Sequence, residues 1–327
     1  MVVRRVSRLA RRTGCIAALG CVVVSGCGTA ADGPAPTTTP TATAGRFVPG
    51  AGDRSGLVDI GGGRGIYLEC RGSGSPTVVL VSGAGVAADN WSYTGDPTDQ
   101  TTPPVRTELA VHPDIAKFTR VCAYDRPGTE QMDGTASRST GVTQPTTAQG
   151  DAADLRALLT VAELEGPHVL VGHSWGGMIA SAYARTYPDD VSGLVLVDPG
   201  SQYLQSTLPP AVWDQWMRDI ETNGRNHPGA ETPDYPATLA ALETMPPLPA
   251  MPAAVLTSDE PFDYLGIGDA DTYWPQWLDA AALLSTALDA THITQTGSGH
   301  FIENENPALV VEQICSVIAP ATSGPGS

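Results

Sequence analysis

The segment Gly172-His173-Ser174-Trp175-Gly176-Gly177 constrains this chain more than any other six residues. It follows the apolar run His168–Val171 and precedes a helix-forming stretch, Met178–Thr186. A strand that becomes a helix within so few residues needs a sharp bend, and glycines permit it. A side chain at Gly172 or Gly176 would collide with neighbouring backbone. Such a turn pushes the serine oxygen out at the head of a helix, where backbone N–H groups favour negative charge. A G-x-S-x-G match alone arises often by chance. Set between strand and helix, it reads as a nucleophile elbow with Ser174 as the nucleophile.

The rest of the chain repeats the same alternation. Short β-type runs are expected at Leu57–Ile60, Gly65–Cys70, Thr77–Val81, Arg120–Tyr124, His168–Val171, Gly193–Val197, Ala253–Thr257 and His292–Thr296. Helices are expected at Thr147–Leu164, Met178–Thr186 and Pro307–Val317. The first two strands form a hairpin across Gly61-Gly62-Gly63. Strands alternating with helices imply an α/β architecture, a mostly parallel sheet covered on both faces. Ser201–Pro249 breaks the rhythm. It has no strand, several prolines and helix-like pieces at Ala211–Glu221 and Ala237–Glu243, so it reads as a small helical cap at about 201–249.

A serine hydroxyl needs a base to act as a nucleophile at neutral pH. Of the six histidines, only His300 lies in a loop just after the final strand, in Gly297-Ser298-Gly299-His300-Phe301. The base in turn needs a carboxylate to orient it. Asp259 is preferred, because it ends the strand just before the one that leads to His300. Asp198, at the end of the preceding strand, and Glu260 remain open alternatives. An oxyanion needs two N–H donors. One is expected from Trp175, directly after the serine. The other is expected from Ser82-Gly83-Ala84-Gly85, with Ala84 first and Gly85 second.

The order of the Ser82-Gly83-Ala84-Gly85 loop, Trp91, Tyr124-Asp125-Arg126-Pro127-Gly128, the elbow, Val197-Asp198-Pro199 and Gly299-His300 resembles the α/β-hydrolase superfamily. Within it the chain is most similar to exported actinobacterial hydrolases, over Leu57 to the C-terminal helix. The resemblance implies the α/β-hydrolase fold: a mostly parallel eight-stranded sheet, helices on both faces and a small helical cap. Two departures stand out. Ser82 occupies the place of the family's usual histidine, and Thr129-Glu130-Gln131 replaces the usual Gly-x-Ser after Gly128. The family's sheet order would place the strand of Cys70 beside that of Cys122, which implies a disulfide between them. Cys315, on the last helix, is expected as a buried free thiol.

Family members that open epoxides carry aspartate at the elbow, so a serine there implies acyl transfer. Small or medium ester substrates come first by family resemblance. The alternatives are an aminopeptidase or amidase, because the elbow also resembles that of prolyl aminopeptidases, and a non-catalytic surface binding protein on the same fold. Trp91, Tyr203, Trp213 and Trp216 are candidates for the wall of an apolar acyl pocket, or equally for packing the cap onto the core.

The N-terminus adds a location. Arg4, Arg5, Arg8, Arg11 and Arg12 precede an apolar run, Cys15–Val24, that is too short for a permanent bilayer span but suits a signal peptide. Val24-Ser25-Gly26-Cys27 resembles the lipobox of bacterial lipoproteins. The expected layout is therefore a signal peptide over 1–26, a lipidated Cys27 with a Thr/Pro-rich tether to residue 51, and a hydrolase domain over 52–327. This describes an exported lipoprotein on the outer face of a bacterial cell membrane, touching the membrane through its lipid. The formal net charge is −17, and Lys117 is the sole lysine. Such a surface repels phosphate backbones, so a nucleic-acid partner is excluded. No metal-ligand spacing and no phosphate-binding glycine loop occurs, so no cofactor or metal is expected. No obligate protein partner is evident.

Overall fold

A computed structural model describes residues 52–261 and 270–319. The expected signal peptide, Cys27 and the tether lie outside these residues. Eight strands form one sheet: β1 (Arg54–Gly61), β2 (Arg64–Arg71), β3 (Val78–Val81), β4 (Val121–Tyr124), β5 (His168–His173), β6 (Val191–Val197), β7 (Ala253–Leu256) and β8 (Thr291–Ile293). Their spatial order is β1-β2-β4-β3-β5-β6-β7-β8. The β1–β2 and β2–β4 pairs are antiparallel and the others parallel.

Every residue of β3, β4 and β5 is buried, as expected of strands covered on both faces. The first face carries α1 (Ala148–Val161) and α2 (Trp175–Thr186), through Leu155, Leu158, Ile179 and Tyr183. Thr147 starts α1 by accepting a hydrogen bond from the Gly150 amide on its side chain. The opposite face carries α6 (Pro307–Ile318), through Val310, Ile314 and Val317. Those three positions form one helical stripe. Cys315 stands next to it and is exposed, which corrects the expectation of a buried thiol.

Cys70 faces Cys122 across the β2–β4 ladder, and their sulfurs are bonded, with Cα atoms 4.0 Å apart. Between β6 and β7 the chain forms a short helix, Leu204–Thr207, and the two longer helices of the cap segment, α3 (Pro210–Asn226) and α4 (Tyr235–Leu242). A long helix, α5 (Ala270–Leu288), precedes β8. The sequence analysis places no helix there; Pro275 stands inside it. Among the described residues no helix is long and apolar enough to cross a membrane.

The parallel strands end at one edge of the sheet, and register sets what meets there. His173 pairs with Val197, and Val197 with Leu256. The next residues, Ser174, Asp198 and Thr257, therefore leave adjacent strands at the same level.

Candidate active site

Ser174 sits between β5 and α2 with φ 52° and ψ −118°. This region is sparsely populated for a residue with a side chain, and such strain persists only where surroundings enforce it. Here the backbone enforces it by crowding. A Cβ at Gly172 would lie 2.5 Å from the Gly176 carbonyl oxygen, and one at Gly176 would lie 2.1 Å from that of Val81. The Ser174 amide donates to the Val197 oxygen at 3.1 Å, tying the turn to β6.

His300 Nδ1 lies 2.6 Å from Asp198 Oδ2, and the Asp198 carboxylate is completely buried. Asp198 itself has a left-handed backbone, with φ 37°. Its second oxygen accepts hydrogen bonds from the Ser258 amide at 3.0 Å and the Ser258 hydroxyl at 3.1 Å. The Trp274 indole donates to that hydroxyl at 3.0 Å. Asp198, not Asp259, is thus the carboxylate on His300. Asp259 instead accepts from the Ser298 amide at 3.0 Å and the Thr296 hydroxyl at 3.2 Å, so it shapes the loop that carries His300. Partial burial pushes the Asp259 carboxyl up, but bonds from the Gly297 and Ser298 amides outweigh this and hold it below its ordinary range. Glu260 is exposed, and its amide joins the same loop by donating to the Ser298 oxygen.

Behind His300 stands a second, buried pair. His173 Nε2 is 3.0 Å from the His300 carbonyl oxygen, and Nδ1 is 3.0 Å from Glu303 Oε1. Asn90 Nδ2 donates to the same Glu303 oxygen at 3.0 Å. With Nε2 donating to a carbonyl, a neutral imidazole has only a lone pair left at Nδ1. Nδ1 has no hydrogen-bond partner among the described residues, so its contact with the Glu303 oxygen is one of proximity only. Burial pushes the Glu303 carboxyl up to about 8 and holds His173 well below its ordinary value, which favours the neutral form of both.

The opposite side of the site is the loop Ser82–Gly85. Gly83 passes so close that a Cβ there would lie 3.3 Å from Ser174 Cβ. Arg126 donates to the Ser82 oxygen at 2.8 Å, to the Gly83 oxygen at 2.6 Å and to both oxygens of Glu231. Glu231 in turn accepts from the Gly85 amide at 2.6 Å. That amide is engaged, which removes Gly85 as an oxyanion donor and leaves Ala84 as the loop candidate. Trp175 is the first residue of α2, so its amide has no acceptor within the helix. Its indole donates to Asp151 Oδ2 at 3.2 Å. Burial, followed by the Glu231 charge, pushes Asp151 up to about 7.

The expected pocket residues fare unequally. Trp91 is completely buried on the α6 face of the sheet, with its indole donating to the Ser82 hydroxyl at 3.0 Å. It is a core residue and not a pocket wall. Trp213 and Trp216 are buried in an aromatic stack with Tyr235, whose ring centroid lies 4.8 Å from that of Trp175. They fix the cap to the domain. Tyr203 is half-buried ahead of the short helix Leu204–Thr207. Arg126, Glu231, Asp151 and Glu303 were not among the expected site residues. Only Arg126 carried a signal, as part of Tyr124-Asp125-Arg126-Pro127-Gly128. Among the described residues no group of His, Cys, Asp or Glu is arranged to hold a metal ion.

The model of the alpha/beta hydrolase family matches residues 78–313. An uncharacterized protein of Schizosaccharomyces pombe is 33% identical over 148 residues, 42% of this chain and 26% of that protein. The match thus spans about a quarter of that relative's length. A solved structure described as an N-acyl homoserine lactone degrading enzyme aligns over 80% of this chain and 99% of its own, at 18% identity and TM-score 0.53. A thermophilic esterase from Thermogutta terrifontis aligns over 80% and 97%, at 20% identity and TM-score 0.51. At these identities the two structures are alike in fold.

Proposed function

The chain belongs to the alpha/beta hydrolase family, and on that premise we propose that it is a hydrolase that cleaves an ester through an acyl-enzyme formed on Ser174. His300 takes the Ser174 proton while the serine oxygen attacks the ester carbonyl. Negative charge collects on the carbonyl oxygen, facing the amides of Trp175 and Ala84. The alcohol leaves with the proton from His300. Water then repeats the sequence on the acyl group, and Ser174 is restored. Asp198 orients the imidazole and stabilises its charged form.

The 2.6 Å contact between His300 and the buried Asp198, one strand over from the strained Ser174, carries this reading. The preference for esters follows the named esterase and lactone-degrading enzyme of the same fold. The N-terminal pattern ending at Cys27 supports an exported, lipid-anchored enzyme, and the Cys70–Cys122 bond suits an oxidising compartment.

The test uses p-nitrophenyl esters, aminoacyl anilides and a fluorophosphonate probe. Wild type is expected to hydrolyse the esters and to take the label on Ser174. Ser174→Ala should lose both, by about 10⁴-fold or more in kcat. Equal activity in the two proteins would sink the mechanism, and anilides cleaved in preference to esters would move the substrate class to amides.

A further inference from the structure

Glu231 lies in the connection between the two longer cap helices, α3 and α4, yet its carboxylate reaches the loop beside Ser174. It is paired with Arg126, and both side chains are buried, at 2% and 1% exposure. Burying two charges is costly, and an apolar pair of similar volume often serves stability equally well. Stability alone therefore does not account for an ion pair at this place.

Its contacts suggest a different role. Arg126 holds two successive carbonyls, those of Ser82 and Gly83. The Gly83 carbonyl and the Ala84 N–H share one planar, trans peptide unit and point in opposite directions. Fixing that carbonyl toward Arg126 fixes the Ala84 N–H away from it. Glu231 fixes the next unit by accepting from the Gly85 amide. The loop Ser82–Gly85 is thus held at three backbone groups by one ion pair. The Glu231 amide also donates to the Gly128 oxygen at 2.9 Å, and the Glu130 amide donates to the Gly85 oxygen at 2.9 Å. The cap connection, the segment after Arg126 and the loop form one interlocked unit.

We propose that Arg126 and Glu231 are positioning residues that aim the Ala84 amide at the developing oxyanion, and that Glu231 makes this aim depend on the seating of the cap. The proposal rests on the serine-hydrolase reading. It assigns the cap a part in the chemical step, beyond enclosing the substrate. A misaimed donor weakens transition-state binding and leaves ground-state binding almost untouched.

The experiment compares wild type with the double variant Arg126→Met, Glu231→Leu, which removes both charges together, and with Glu231→Gln, which keeps an acceptor for the Gly85 amide. Glu221→Gln, in an exposed pair with Arg225 on α3, is the control. Folding is checked by thermal melting and circular dichroism. With p-nitrophenyl butyrate, the double variant should lose about 100-fold in kcat with KM within about threefold, and Glu231→Gln should recover part of the loss. Affinity for an aliphatic trifluoromethyl ketone, which forms an oxyanion on the serine, should fall by the same factor as kcat. A folded double variant with wild-type kcat and ketone affinity would overturn the proposal. So would a loss confined to KM. A wild-type protein that takes no fluorophosphonate label would instead overturn the hydrolase reading, and the clamp with it.

Discussion

On one side of Ser174, His300 is held by a single carboxylate and a set of neutral groups. Asp198 touches its ring, Ser258 and Trp274 steady Asp198, and the neutral Glu303–His173 pair holds its backbone. On the other side, the loop Ser82–Gly85 and Trp175 are held by charged groups, with Arg126 against Glu231 and Asp151 nearby. The difference follows from what each side does in the proposed mechanism. An imidazole gains and loses a proton in every turnover, and a second charged group beside it would compete for that proton. Amide donors never change charge. They only need to be fixed, and charge-assisted hydrogen bonds fix direction best.

The largest effect that would break this comparison lies on the base side. Asp198→Asn should lower kcat by about 10⁴-fold, because the amide favours the wrong tautomer of His300. Asp259→Asn should stay within about threefold of wild type, since Asp259 only shapes a loop. Steady-state kinetics on both variants decide the matter, and the reverse order would return the acid to Asp259. Next in size, Arg126→Ala alone leaves the Glu231 charge buried without its partner and should cost about 3–5 kcal/mol of stability in urea unfolding. A cost within 1 kcal/mol or so would mean that the pair is not charged as drawn.

The third prediction concerns pH. The Glu303 carboxyl is raised in the fold, so its contribution to stability is complete below its unfolded range near 4.5 and is lost as pH rises through about 8. The gap in melting temperature between wild type and Glu303→Gln should therefore shift against wild type between pH 5 and 8.5. A gap that does not change with pH would show Glu303 ionised throughout. The smallest effect is expected from Asp151→Asn, which keeps an acceptor for the Trp175 indole. Asp151 titrates near 7, so this variant should flatten whatever inflection the kcat profile of wild type shows there, with little change in kcat itself at pH 6.

These two sides were not equally legible in the sequence. The elbow was, because its strain, its glycines and its helix all lie within a few neighbouring residues. All eight strands of the main sheet were, as short runs between turn signals, whereas the small pair Tyr93–Thr94 and Val105–Arg106 was not. The acid was narrowed to strand ends but not decided. Asp198 and Asp259 each follow a strand, and what separates them is that Ser258 and His300 both turn toward Asp198. On the oxyanion side the donors Trp175 and Ala84 were legible, but the ion pair that holds the loop was not. Arg126 and Glu231 stand 105 residues apart, and nothing in either neighbourhood announces the other. Trp91 was misplaced for a related reason. A tryptophan in a loop after a strand can line a pocket or fill the core, and only the fold shows which face of the sheet covers it. Cys315 was an avoidable miss, since the stripe Val310, Ile314, Val317 already excludes it.

The position of Asp198 has a consequence for how such a site can change over generations. Ser174 and Asp198 sit on one β5–α2–β6 unit, inherited as a single contiguous block, whereas His300 lies 102 residues beyond Asp198. All of the cap and the whole of β7 fall in that interval. Insertions, deletions or exchanges there can remodel what the enzyme accepts without separating serine from carboxylate. An acid at Asp259 would have placed the cap between the two. As built, the cap interrupts only the link to the histidine, which its own loop bonds re-establish.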